Sequence, residues 1–113
     1  CKTDVGGVAR YENDYYYQIS QDVGKVPGNP WIICTLWLAL WYLGMAKSED
    51  DLRRPKEILE WAASHCLPSG VMAEQIHPYT GAPLSVSPLT WSHATYIETV
   101  LEYKKTVERL KKI

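Results

Sequence analysis

From Val26 to Ala46 the chain has no charged side chain, and this stretch constrains the fold more than any other. Pro27, Gly28 and Pro30 interrupt its start, leaving Trp31 to Ala46 as the continuous helical part. Asn29-Pro30 supplies a helix start, with Asn as N-cap and Pro at the first helical position, and Gly44 is the expected stop. Between them, Ile32-Ile33-Cys34-Thr35-Leu36-Trp37-Leu38-Ala39-Leu40-Trp41-Tyr42-Leu43 is apolar on nearly every face. A helix of this kind needs cover on all sides. Sixteen residues rising about 1.5 Å each reach roughly 24 Å, short of the roughly 30 Å hydrocarbon core of a bilayer. The expectation is therefore a buried core helix and no membrane span, with Trp37, Trp41 and Trp61 as core residues.

The 113-residue chain is long enough for one domain with a single core. Residues 1–29, rich in Gly, Asp, Asn and Tyr, read as loop with a short strand around Tyr15 to Ile19. Ser48 can cap a short acidic turn from Glu49 to Asp51. A second helix is predicted from Pro55 to His65, where Ile58, Leu59, Ala62 and Cys66 make one apolar stripe before Pro68 and Gly70 break it. Residues 67–87 read as a long loop holding Glu74 and a Tyr79-Thr80-Gly81 turn. Ser87-Pro88 repeats the capping logic and opens a helix from Leu89 to Leu110, with Ala94, Ile97, Val100, Leu101 and Val107 as its stripe. The class is all-α, with three main helices. One wholly apolar helix needs more cover than two amphipathic neighbours provide. A loop longer than about 12–15 residues in so small a domain also suggests a function. Both features point to a segment of a larger helical assembly.

Composition excludes several functions. Lys plus Arg total 12 against 13 Asp plus Glu, a formal charge of -1, so there is no electrostatic case for nucleic acid or an anionic membrane surface. The basic run Lys104, Lys105, Arg109, Lys111 and Lys112 complements the dipole at a helix end. Cys1, Cys34 and Cys66 are odd in number and widely spaced, which argues against a disulfide framework; Cys34 reads as a small core residue. His65, His77 and His93 lack paired metal-ligand spacing and read as polar surface or supporting residues. No metal and no cofactor is expected. The chain shows no signal peptide and does not begin with Met, so it reads as a fragment or processed piece, and the unpaired cysteines favour the cytoplasm.

One carboxylate stands out. Glu74, in Ser69-Gly70-Val71-Met72-Ala73-Glu74-Gln75, would read alone as an ordinary loop acid. Its surroundings change that reading. Gly7-Val8-Ala9-Arg10-Tyr11-Glu12-Asn13-Asp14, Gly28-Asn29-Pro30-Trp31-Ile32-Ile33-Cys34-Thr35-Leu36, Ala73-Glu74-Gln75 and Pro88-Leu89-Thr90-Trp91-Ser92-His93-Ala94 follow one another in order. Together they resemble glycoside hydrolase family 15, which contains glucoamylases, glucodextranases and certain trehalases. The resemblance spans residues 6–96, and each motif alone would be weak.

The resemblance implies an inverting α-glucosidase built on an (α/α)6 toroid, with residues 1–113 as the C-terminal third of the catalytic domain. It places the general base at Glu74, a sugar-hydroxyl-binding arginine at Arg10, and an aromatic of the substrate pocket at Trp31. Asp14 and Tyr16 fall near that pocket, and Trp91 is expected to pack behind the site. The general acid of the family lies upstream of the segment that this chain matches, so the chain alone is expected to be inactive. The implied partners are an α-glucan or maltooligosaccharide and the rest of the toroid, or a second copy through the apolar helix. Glu74-Gln75 and the last motif look closer to glucoamylases and glucodextranases than to trehalases. The competing expectation is a non-catalytic helical interaction module derived from the same fold.

Overall fold

The computed structural model describes residues 1–112 and is mainly helical, in keeping with the all-α expectation. Three helices carry it: α1 (Ile32–Met45), α2 (Arg53–Ser64) and α3 (Thr90–Lys111). A 3-10 turn (Glu49–Leu52) leads into α2, and β1 (Gln75–Ile76) pairs antiparallel with β2 (Pro83–Leu84) inside the long loop. The acidic turn is closed as anticipated, the Asp51 carboxylate accepting the amides of Lys47 and Ser48 at 2.8 and 3.1 Å. Among the described residues no helix is long and apolar enough to cross a membrane.

Helix α1 starts later than Asn29-Pro30 suggests. Its N-cap is Trp31, in an extended conformation, because the preceding chain is held as an edge: Trp31 N–H donates to the Val8 carbonyl at 2.9 Å and Ile76 N–H to the Pro30 carbonyl at 2.9 Å. Asn29 does not cap; its side chain is buried and turned towards Tyr17 and Gln75. At the other end the helix runs past Gly44 to Met45. There the Arg109 guanidinium of α3 donates to the Ala46 carbonyl at 3.0 Å, answering an orphan group of the helix terminus.

The all-round burial expected of α1 is not what forms. Ile32, Leu36, Ala39 and Leu43 are at most 1% exposed, whereas Trp37 is 47% and Trp41 58% exposed. The reason is dimensional. The molecule measures 47 × 32 × 18 Å, and a helix with side chains is about 10–12 Å across, so the thin direction holds fewer than two layers. Trp61 does pack as expected. It lies against the core cluster of Ile32, Leu36, Leu59, Ala62, Met72 and Ile76, and its indole N–H donates to the Val5 carbonyl at 3.1 Å. Gly6, at φ +91°, lies flat on that ring; a Cβ there would sit 2.5 Å from the indole nitrogen.

The stripe expected on α3 is also rearranged. Val100 and Val107 face the core, but Ala94, Ile97 and Leu101 are exposed, and the buried line is Ser92, Thr95, Thr99, Thr106 and Leu110. Buried hydroxyls are tolerated because they bond back into the helix: Thr99 Oγ1 donates to the Thr95 carbonyl at 2.7 Å, and Thr106 Oγ1 to the Glu102 carbonyl at 2.8 Å. α2 begins at Arg53, two residues before the expected Pro55. No strand forms over Tyr15 to Ile19, where Tyr17 takes a left-handed φ of 57°.

Candidate active site

Three loop segments meet at the start of α1. Single β-bridges link Val8 to Trp31 and Trp31 to Gln75, so the segments carrying Arg10, Trp31 and Glu74 run side by side. The Ile32 amide, at the first residue of α1, donates to the Glu74 carbonyl at 3.1 Å. That bond uses one of the unpaired amides that every helix start leaves over.

The first corner of the site is built on an ion pair. Arg10 Nε donates to Asp14 Oδ2 at 2.6 Å and its Nη2 to Oδ1 at 2.7 Å, a two-pronged match of fork to carboxylate. The Tyr16 amide adds a bond to Oδ1 at 3.1 Å. Asp14 is only 2% exposed, so its carboxylate faces Arg10 and not solvent. The hydrogen bonds from Arg10 hold the Asp14 carboxyl below the usual range, with the Tyr16 amide helping and burial opposing. The same bond raises Arg10, which stays protonated. The guanidinium carbon lies 4.2 Å from the Trp31 ring centre and 5.6 Å from that of Tyr16, within cation–π range. Trp31 is buried, yet among the described residues its indole N–H has no partner. An open depression beside this corner is lined by Arg10, Trp31, Cys34, Trp37 and Trp91. Burial pushes the Cys34 thiol up, so it is a neutral wall residue. Trp91 meets Trp37 edge-on at 5.8 Å between centroids.

The second corner holds Glu74, half-buried at the edge of β1. Its Oε1 accepts from Gln75 Nε2 at 3.0 Å and from Ser85 Oγ at 2.9 Å. Gln75 is fully buried, and its Oε1 accepts from Asn29 Nδ2 at 3.0 Å; Asn29 Nδ2 also donates to the Tyr17 carbonyl at 2.8 Å. A continuous polar relay thus runs from the Tyr17 turn to the Glu74 carboxylate. Among the described residues, no hydrogen bond reaches Glu74 Oε2. One oxygen is fixed and the other is free to address a water molecule.

Arg10, Asp14, Tyr16 and Trp31 therefore form one cluster. Glu74 is joined to it through backbone bridging, with no side-chain hydrogen bond to it among the described residues. Three residues that shape the Glu74 corner were not singled out as site residues from sequence. Gln75 could have been found as the direct neighbour of Glu74. Asn29 carried a competing signal, since Asn before Pro is also a helix cap. Ser85 carried none, being one serine among several in a loop; its φ of 68° is visible only in the fold.

The comparisons with known proteins bear on the same region. Residues 52–101 match the family model of glycosyl hydrolases family 15. An uncharacterized glycosyl hydrolase of Methanocaldococcus jannaschii is 36% identical over 115 residues, covering 94% of this chain and 17% of the relative. The chain thus spans about a sixth of the length of that relative. No solved structure matches. The chain is a segment of the glycosyl hydrolase family 15 type.

Proposed function

We propose that the chain carries the water-activating base of an inverting, glucoamylase-like α-glucosidase, with Glu74 in that role. The observation that carries this reading is the asymmetry of the Glu74 carboxylate: Oε1 is held by Gln75 and Ser85, and Oε2 is left without a protein partner among the described residues. A general base needs to be both ionised and aimed. Two donors on one oxygen hold it in place, leaving the second oxygen to take a proton from water.

An inverting glycosidase sets this base opposite a carboxylic acid roughly 6.5–9.5 Å away, with the attacking water between base and sugar. In this reading the acid comes from residues outside the chain, and residues 1–113 are the C-terminal third of a helical toroid. Arg10 offers its remaining donors to sugar hydroxyls, and Trp31 and Tyr16 offer ring faces and an indole N–H. Asp14, with both oxygens occupied, serves by orienting Arg10 and the Tyr16 amide.

The test uses the complete protein that contains this chain, supplied with maltooligosaccharides. Proton NMR of the first product is expected to show β-glucose released from non-reducing ends, and Glu74→Gln is expected to slow release by about 10²–10⁴-fold. Hydrolysis that persists near the parent rate in Glu74→Gln would sink the assignment, and initial release of α-glucose would rule out inversion. The exposed Trp37 and Trp41 favour a second reading, a non-catalytic interaction module. A complete protein with no glycosidase activity and a defined protein partner would establish it instead.

A further inference from the structure

The first turn of α3 grips the backbone just before Glu74. Ser92, fully buried, donates its hydroxyl to the Ala73 carbonyl at 2.9 Å. His93 accepts the Met72 amide on Nε2 at 3.0 Å, and the Leu89 amide donates to the Met72 carbonyl at 3.0 Å. On the far side, the Glu74 amide donates to the Val86 carbonyl at 2.9 Å and its carbonyl accepts from Ile32 at 3.1 Å. Residues 72–74 are therefore suspended between the N-terminal ends of α3 and α1.

We propose that Ser92 and His93 are positioning residues for the general base, setting where the free oxygen of Glu74 points; this rests on the reading of Glu74 as that base. Three rotatable bonds separate the carboxylate from the backbone, but Gln75 and Ser85 hold its Oε1, so a shift of the Ala73 and Glu74 backbone moves a held carboxylate with it. Gln75 and Ser85 fix its plane only once that backbone is in place. Histidine suits the task because an imidazole nitrogen without a proton accepts an amide hydrogen, which neither lysine nor arginine can do. Serine suits it because its one hydroxyl hydrogen reaches the carbonyl from within a buried helix turn. Neither side chain needs to touch sugar.

The experiment is steady-state kinetics on the complete protein with maltooligosaccharides, run well below the melting temperature of each variant. Phe at position 93 keeps a ring and deletes the acceptor, Gln keeps an acceptor, and Ala at position 92 deletes the hydroxyl. His93→Phe is expected to lower kcat by about ten- to a hundredfold, the scale of a misplacement near 1 Å, while KM moves less than about twofold. Ser92→Ala is expected to lower kcat about tenfold in the same pattern, and His93→Gln to restore it to within about threefold of the parent. If His93→Phe does not fold, Ser92→Ala carries the test alone. The proposal is overturned if these variants only lower the melting temperature, with kcat per folded enzyme unchanged. It is also overturned if kcat and KM change together, or if His93→Gln is as impaired as His93→Phe. Glu74→Gln in the same assay separates the two claims: retained kcat there removes the base itself, whereas lost kcat beside unaffected Ser92 and His93 variants removes only the positioning role.

Discussion

Two carboxylates a short distance along the same site are built in opposite ways. Asp14 is nearly inaccessible, and its two oxygens take three hydrogen bonds, two of them from one guanidinium. Glu74 is half-buried and, among the described residues, takes two hydrogen bonds on one oxygen and none on the other. A carboxylate with both oxygens engaged and almost no exposure is shut off from a new partner, and its worth lies in holding the partner it has. A half-used one keeps its orientation and still offers a lone pair. The contrast separates an acid that shapes the site from one able to act in it.

The largest effect that would sharpen this contrast is at Glu74. Glu74→Gln keeps shape and removes basicity, and is expected to lower kcat of the complete protein by about 10²–10⁴-fold, read from glucose release. A fall in KM alone would break the comparison. Next is Arg10→Lys, which replaces a planar fork by a point charge. It is expected to lower kcat/KM about ten- to a hundredfold and to loosen the Tyr16 and Trp31 rings stacked on it, read from kinetics and Trp fluorescence.

Asp14→Asn should act through stability more than turnover. It leaves Arg10 without a charged acceptor, and a loss of about 1–3 kcal/mol is expected in urea unfolding. The pH dependence has a definite sign. The folded-state pKa of Asp14 is depressed, so its contribution is fully present above the ordinary carboxylate value of about 3.9 and is lost as pH falls through the lower folded value. The stability gap between the parent and Asp14→Asn should be level from mildly acidic pH upward and close in strong acid. A gap that widened in acid would contradict the geometry of the pair.

How much of this could be read from the chain alone depends on the range of the interaction. Local signals were legible: the acidic turn after Ser48, the core position of Trp61, and three helices in the expected order. Family motifs marked Glu74 and Arg10 as residues to examine. Long-range matters were not legible. Asn29-Pro30 looks like a helix start because local capping is what a sequence encodes most directly. The bridge from Val8 to Trp31 outcompetes it, and that bridge depends on a segment 23 residues away. Ala94, Ile97 and Leu101 of the expected α3 stripe point outward because hydrophobicity alone cannot foresee that threonines, satisfied within their own helix, will pack inward. The Asp14 pair is an i,i+4 contact in irregular backbone, where helical spacing rules do not apply.

The smallest effect is also the most discriminating, because activity and stability should move in opposite directions. Ser85 holds a left-handed φ of 68°, a conformation that costs a residue with a Cβ and costs glycine nothing. Its hydroxyl is nonetheless one of two donors on Glu74 Oε1 among the described residues. Ser85→Gly relieves the backbone and deletes the donor. Thermal unfolding is expected to be unchanged, or raised by an amount equivalent to about 0.5–1 kcal/mol, while kcat falls several-fold and KM stays near the parent value. Ser85→Ala loses the same donor without the backbone relief, so it should match the kinetics and not the stability. If both variants kept full kcat, Gln75 alone would suffice to aim the carboxylate, and Glu74 would need less support than its geometry suggests. If both lost kcat equally while differing in stability, the strain at residue 85 would be a cost that the fold bears to keep one oxygen of Glu74 still and the other free.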